Sequence, residues 1–562
     1  MAELVALVYR SDWRQLSLSA TISRTFDSGV ANRLRERRAA ESRQAFGPLR
    51  PPVPRFEVPD HGQLSFEERL LLAPGGRYRI EGRHGSLDVS DGEHSWSIYD
   101  GAVHRGLRSP GARFHGLLTP RWLIASYQLH IVGSEVAGDR TAIRVIGVPR
   151  PPSARRPSRC QLLDRVEVLV DAEFGILLRS RQVFEGQTLE SAELRDLVIN
   201  PPEAGTPGLF VPPPDVPVDE EEPFADVEPP SGTGWEVAGA AAGAAASALG
   251  FAVKHAPRRK TVWPTDDEEP DMPADAALAP GEWEQGEPPD DRILNLLHRT
   301  GLPPLALSAD VHEWIDVQPL MENFETLRQK LPAPLAGILG PDSVWAALGE
   351  RATEDGGGHR VARLAVRMPG RYRLDYLSGD WNKRYTAIGS DGEQTTKLFD
   401  DRVATGPVRP LEPGLASMLD PAWLLQGWRL TVIGPINVAG RDGINLRAVT
   451  DSANEGAFSL SARADLVLDT KFGILLRYTT YADDRPATRT ELRNLRPLDE
   501  HTSFRIEPRP GQRSVTDSGG PFGDRNLPSP AEAAATAATI AAAGAVAFTG
   551  WLEKHRARRP PK

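Results

Sequence analysis

Twelve histidines, a lone cysteine and two Asp-Gly-Glu triplets are the residues of this chain whose types could support chemistry. His94, His104, His115 and His130 fall within one stretch, and imidazoles gathered in space can hold a metal or act as a general base. When the sequence is compared with itself, however, none of the four recurs where its surroundings recur. His312-Glu313 opens like a zinc-protease helix, but no second histidine follows within a helical turn. Cys160 lies in the stretch PPSARRPSRCQLL, and a single cysteine excludes an intrachain disulfide and a thiolate zinc site. Gly232-Thr233-Gly234 with Gly239 imitates a dinucleotide fingerprint, but it follows an acidic stretch instead of a strand and its spacing is wrong. There is no P-loop, GxSxG elbow or HExxH. The expectation is a non-enzymatic chain with no catalytic residues, no metal and no cofactor. Asp91-Gly92-Glu93 and Asp391-Gly392-Glu393 read as tight hairpin turns, with Gly92 and Gly392 supplying the turn conformation.

What the sequence does repeat is structural. Residues 171–179 read DAEFGILLR, and residues 469–477 read DTKFGILLR. Glu193-Leu194-Arg195-Asp196-Leu197 returns as Glu491-Leu492-Arg493-Asn494-Leu495, at the same offset of 298 positions. Trp122 and Gly133 correspond to Trp423 and Gly434. The chain is therefore two copies of one β-rich domain, since self-similarity at a fixed interval marks duplication. Between the echoes, apolar and polar residues alternate, as in RVEVLVD, where Val166, Val168 and Val170 share a face. Asp-Gly, Pro-Gly and Phe-Gly turns punctuate these runs, as antiparallel strands require. Gly175 and Gly473 are the turn glycines of the two FGILLR hairpins.

The sequence divides into a first domain at 1–200, an acidic Pro-rich linker at 201–232 and an Ala-rich helix with a basic tail at 233–260. A second acidic Pro-rich linker at 261–293 leads to the second domain at 294–510. A short linker at 511–528 precedes another Ala-rich helix with a basic tail at 529–562. The linkers hold too little apolar surface to order themselves and should be extended and mobile. Thr233 with Glu236, and Ser529 with Glu532, are capping boxes that open the Ala-rich helices. Both helices are long enough to cross a bilayer. Alanine gives little insertion energy, however, and both basic clusters follow their helices, which opposes two successive spans. The expectation is helices laid on their domains, with peripheral membrane contact as the alternative.

At 562 residues and a net charge of −10, with both signs interspersed, the chain has no basic footprint for nucleic acid. The N-terminus MAELVALVYRSDWRQ lacks a basic n-region and reads as a short amphipathic helix through Leu4, Val5, Val8, Trp13 and Leu16. The expected location is the cytoplasm.

The stretches PGGRYRIEGRHGSLDVSDGEHSWSIYD and PGRYRLDYLSGDWNKRYTAIGSDGEQTTKLFD bring a family into view. A Pro-Gly-Arg-Tyr-Arg strand, a DG hairpin and an aromatic-Asp strand end resemble the LolA-like lipoprotein-carrier superfamily. The later pair LVDAEFGILLRSRQVF and LVLDTKFGILLRYTTY looks like that family's Asp-x-x-Gly-Leu-x-Arg hairpin. The resemblance covers most of both copies. It implies an α+β fold: two copies of a strongly curved antiparallel β half-barrel with covering helices, each followed here by an Ala-rich helix. It also implies a lipid or other lipophilic ligand in each concave face, and no catalysis. The residues expected to line the cavities are Trp96, Ile98, Val168, Ile176 and Leu178, with Leu398, Leu466, Ile474 and Leu476 in the second copy. The alternative is a scaffold whose sheets recognise a protein partner and whose cavities are filled by side chains.

Overall fold

The computed structural model describes residues 1–46, 62–82, 86–99, 102–105, 111–150, 162–213, 218–219, 286–299, 305–316, 319, 322, 357–368, 370–379, 386–399, 402–408, 411–450, 463–482 and 485–516. The first copy begins with α1 (Ala2–Arg10), β1 (Leu18–Asp27) and α2 (Ser28–Phe46). Five strands follow: β2 (Gln63–Ala73), β3 (Arg77–Glu81), β4 (Leu87–Ser90), β5 (Ser95–Tyr99) and β6 (Ala102–Arg105). Next come α3 (Gly111–Leu118) and α4 (Arg121–Ser126). The copy closes with β7 (Tyr127–Ala137), β8 (Arg140–Pro149), β9 (Arg165–Asp171), β10 (Leu177–Phe184), β11 (Gln187–Ile199) and β12 (Val218–Asp219).

Among the described residues the second copy repeats the strand order, with no counterpart of α2. It runs α5 (Asp291–Arg299), β13 (Ala306–Asp316), β14 (Gly357–Arg367), β15 (Arg371–Gly379), β16 (Ala387–Asp391), β17 (Thr395–Leu398) and β18 (Arg402–Gly406). Then come α6 (Pro413–Leu419), α7 (Leu424–Gly427), β19 (Trp428–Val438), β20 (Arg441–Thr450), β21 (Arg463–Asp469), β22 (Leu475–Ala482), β23 (Arg485–Pro497) and β24 (Arg513–Thr516).

Each copy forms one open sheet. The first runs β12-β6-β5-β4-β3-β2-β1-β11-β10-β9-β8-β7, and the second follows the matching order from β24 and β18 to β19. Neighbours are antiparallel except β12 on β6 and β24 on β18, which are parallel. The described residues are predominantly strand, and neither sheet closes into a barrel. Strands β6 and β7 lie near opposite ends of their sheet, so the chain between them must cross one face. Helices α3 and α4 make that crossing, and α6 and α7 make it in the second copy. This connection explains why helices cover one face of each sheet.

The repeated sequences are the parts that close turns. Asp171 accepts from the amides of Glu173 and Phe174 at 2.9 and 2.8 Å, and Asp469 accepts from Lys471 and Phe472 at 2.8 and 2.7 Å. Arg140 binds Asp171 and stacks over Phe174, and Arg441 binds Asp469 and stacks over Phe472. Gly175 and Gly473 have φ of +70° and +73°, where a Cβ is strained. A Cβ on Gly175 would also lie 2.4 Å from the carbonyl oxygen of Leu7, so this glycine lets α1 seat on the hairpin. In the second echo, Asp196 and Asn494 hold φ of +51° and +50° at matching bulges. Asp and Asn tolerate that left-handed conformation better than most side chains.

Part of the first expected linker is ordered. Residues 202–210 form two short 3-10 turns, Phe210 is buried, and Val218–Asp219 add β12. Arg79 donates to the carbonyl of Leu209. Likewise β24 lies in the stretch expected as a linker after residue 510. The Ala-rich segments, Cys160 and most of the main acidic linker fall outside the described residues. Among those described, no helix is long and apolar enough to cross a membrane.

Candidate functional site

The helix-covered faces of the two sheets form one apolar core. Leu18, Ala20 and Ile22 of β1, Leu70 and Leu72 of β2, and Tyr78 and Ile80 of β3 pack there with Leu4, Val5 and Val8 of α1. Phe114, Leu117, Leu118, Leu123 and Ile124 close it from α3 and α4. Trp13 meets Phe114 edge-on at 5.2 Å. The same core continues through Ile293, Leu294 and Leu297 of α5 into Leu307, Ala309 and Val311 of β13 and Ala362, Leu364 and Val366 of β14.

The residues expected to line cavities separate into groups. Val168, Ile176 and Leu178 of the first copy and Leu466 and Ile474 of the second lie in this shared core. Trp96 and Ile98 sit apart, with Leu87, Val89 and Val103 in the β4–β6 arm. Leu398 packs in the matching arm with Ala387, Val403 and Ile506. Leu476 packs with Val438 and Val467, and Val467 alternates with Leu466 and Leu468, so this cluster lies on the opposite face of the sheet. The turn glycines Gly92, Gly175, Gly392 and Gly473 all have positive φ. Asp91 and Asp391 accept amide hydrogen bonds within their turns, with Asp91 taking those of Glu93 and His94. Burial pushes the Asp91 carboxyl up, but those amides and His94 hold it below the usual carboxylate range. The triplet aspartates thus serve turns. His94 lies beside Asp91 and Trp96, and His130 is exposed on β7. No group of three or more His, Cys, Asp or Glu suited to a metal occurs among the described residues.

Sequence reasoning missed three polar clusters. The first joins the two copies. Tyr9 of α1 donates its hydroxyl to the Trp428 carbonyl at 3.2 Å and accepts from the Leu430 amide at 2.9 Å. His298, at the matching place in α5, reaches the first copy. Its Nδ1 lies 2.9 Å from the Ile124 carbonyl and 3.0 Å from Arg150 Nη2. That single nitrogen donates to the carbonyl in one tautomer and accepts from the guanidinium in the other. Arg150 also donates to the His298 carbonyl and lies 3.4 Å from Asp420. Burial, then the charge of Arg150, pushes His298 down to about 4. The signal was available: aligning α1 with α5 places Tyr9 against His298, two residues that can each hydrogen-bond at one end.

The second cluster lies in the second copy. Arg360 on β14 is 3% exposed and binds Glu313 of β13 and Glu412, the latter at 3.0 Å. Tyr376 donates to Glu412 at 2.6 Å, and Arg360 stacks over its ring. Glu313 shares its strand face with Leu307, Ala309 and Val311, and Arg360 shares its face with Ala362 and Leu364. The ion cluster therefore ends the helix-covered apolar face. By strand register, the first copy has Arg24 and Phe66 in place of Glu313 and Arg360.

The third cluster is a stack of near-parallel rings on the opposite face. Trp314 and His359 are 4.7 Å apart, His312 lies beside both, and Arg493 lies over Trp314. Burial, with the charges of His312 and Arg493, pushes His359 down to about 4.

No protein-family model matches the chain, and no curated protein matches it. Solved structures do. An uncharacterised conserved protein from Thermus thermophilus is 14% identical, over 38% of this chain and 96% of its own, at a TM-score of 0.21. The lipoprotein LppX of Mycobacterium tuberculosis is 12% identical, over 39% of this chain and 100% of its own, at a TM-score of 0.23. A LolA superfamily protein from Nitrosomonas europaea is 10% identical, over 37% of this chain and 96% of its own, at a TM-score of 0.17. Each match spans well under half of the chain, as a single copy would. At such values the class rests on the chain's own strand order: a large open antiparallel sheet with a helical cover, present twice. The Nitrosomonas europaea chain is named as a member of the LolA superfamily, the family that the sequence resembles.

The cytoplasmic expectation is corrected. One matching chain, LppX, is named a lipoprotein, which places it outside the cytoplasm. The expectation rested on a missing basic n-region, and the first residues of a sequence say nothing of what precedes them. A fold with one cysteine and no disulfide carries no mark of redox compartment either.

Proposed function

We propose that this chain is a non-enzymatic binding protein that holds a lipid or other lipophilic ligand on the helix-covered face of each half-barrel. The observation that carries this reading is that apolar face, roofed by α1, α3 and α4 in the first copy and by α5, α6 and α7 in the second. An acyl chain would replace side-chain contacts there, and each buried methylene is worth about 0.8 kcal/mol. In the second copy the face ends at Arg360, Glu313, Glu412 and Tyr376, so an amphiphile could place its polar end there. The domain boundaries proposed are those of the sequence reading, with residues 201–219 and 511–516 added to the domains they border.

A scaffold reading has its own support. Ile176 and Ile474 are fully buried and Val168 nearly so, all by the protein's own atoms. A ligand at those positions would have to displace a covering helix. Lipid extraction of purified full-length chain followed by mass spectrometry separates the readings. Copurifying lipid, or saturable uptake of an apolar fluorophore, is expected. A chain consistently free of lipid that takes up no fluorophore leaves the scaffold.

A further inference from the structure

The two copies differ at one sheet edge. In the second, Glu287 pairs with Val432 of the edge strand β19: the Glu287 amide donates to the Val432 carbonyl at 3.2 Å, and the Val432 amide donates back at 2.7 Å. A single residue of the incoming chain thus bridges to the sheet edge. Gly286 makes this approach feasible. Its φ is +131°, and a Cβ there would lie 2.6 Å from Thr431 Cγ2 and from the Val432 carbonyl oxygen.

Among the described residues, the first copy has the same edge geometry without that cover. Val432 matches Ile131, one position before a bulge that both copies share, at Gly434 and Gly133 with φ of +150° and +153°. Val432 pairs with Leu446 on its inner side and turns its amide and carbonyl outward, and Ile131 pairs with Val145 in the same register. Among the described residues β7 ends its sheet. Ile131 and Val132 are 46% and 49% exposed, and Val136 and Val148 are exposed beside them. Arg144, exposed on β8, lies across from Gly133, where the second copy has Asn445.

We propose that the β7 edge is a docking site for an extended, glycine-bearing acidic segment of a partner chain. It adds as an antiparallel strand at Ile131, as Gly286-Glu287 does at Val432. Outward backbone groups supply the hydrogen bonds, Ile131 and Val132 supply apolar contact, and Arg144 selects acidic residues. The site is independent of any lipid on the helix-covered face.

The test uses full-length chain and a fluorescently labelled peptide of the sequence GEWEQGEPPDD, residues 281–291 of this protein. Anisotropy should show saturable binding. Ile131→Pro removes an outward amide at an edge position that tolerates proline, so with the fold retained by circular dichroism it should weaken binding at least tenfold. Arg144→Glu should weaken it several-fold, and a peptide with lysines for glutamates should restore affinity to that variant. If Ile131→Pro does not fold, the Arg144 charge reversal decides alone. No saturable binding overturns the proposal, as does unchanged binding to folded Ile131→Pro. A dimer that Ile131→Pro abolishes, with no peptide uptake, overturns it in favour of edge pairing between two copies.

Discussion

Replacing Arg150 should uncouple the two copies. Its side chain is 4% exposed, and it links three elements of different origin: Asp420 before α7, His298 at the end of α5, and, through its own amide, the Ser126 carbonyl of α4. Arg150→Met keeps most of the volume and removes the charge. Asp420, which burial already pushes up and Arg150 holds down, then loses its buried cation. Breaking a buried pair by removing one partner costs about 3–5 kcal/mol. The longer 3.4 Å contact and the 13% exposure of Asp420 place this pair toward the lower end, about 3 kcal/mol. A globular domain has only about 5–15 kcal/mol in total, so the loss is large. In urea unfolding followed by tryptophan fluorescence, the native chain should show one transition, because one apolar core spans both copies. Arg150→Met should lower the midpoint and split the transition in two. Adding Asp420→Leu should recover much of the loss, since an apolar pair can replace a buried ion pair. A loss below about 1 kcal/mol with a single unchanged transition would refute a structural role for this cluster.

Three further outcomes follow from the geometry. His298 has a folded-state value near 4 against 6.5 when unfolded, so it favours the neutral ring. Its contribution is complete above pH 6.5 and lost as pH falls toward 4, about 3 kcal/mol at full extent. His298→Gln should flatten that slope in stability–pH profiles; His359 contributes in the same window, so the double variant with His359→Gln should be flatter still. Asp171→Asn should cost about 2–3 kcal/mol by weakening the bonds from Arg140 and the turn amides, read as a lower thermal midpoint. The native form should lose this term in acid, because Arg140 and those amides hold the buried Asp171 below the usual range despite desolvation. Gly175→Ala should cost about 1–3 kcal/mol, since its Cβ meets the Leu7 carbonyl; a loss matched by the same change at exposed Gly138 would remove α1 from the explanation.

The sequence by itself determined the duplication, the antiparallel strands and the turns. Those features are local: Asp171 caps its own turn within three residues, and Gly175 and Gly473 adopt φ values that their neighbours in sequence demand. Alternation placed Val166, Val168 and Val170 on one face because the strand period is two. It could not say how those faces are covered. Leu476 matches Leu178 in the echo yet packs with Val438 and Val467 in a cluster apart from the shared core, and Trp96 and Ile98 lie in a separate arm. Only the tertiary structure decided that the copies share a core instead of swinging on an acidic tether. That depends on Tyr9 meeting Trp428, and His298 meeting Ile124 and Arg150, across separations of 148 to 421 positions. It also decided that Glu287 pairs with Val432 of an edge strand while Ile131, the match of Val432, presents the same backbone groups outward. Hydrogen bonds between chain segments so far apart leave no period in the sequence, because each needs only one residue at each end.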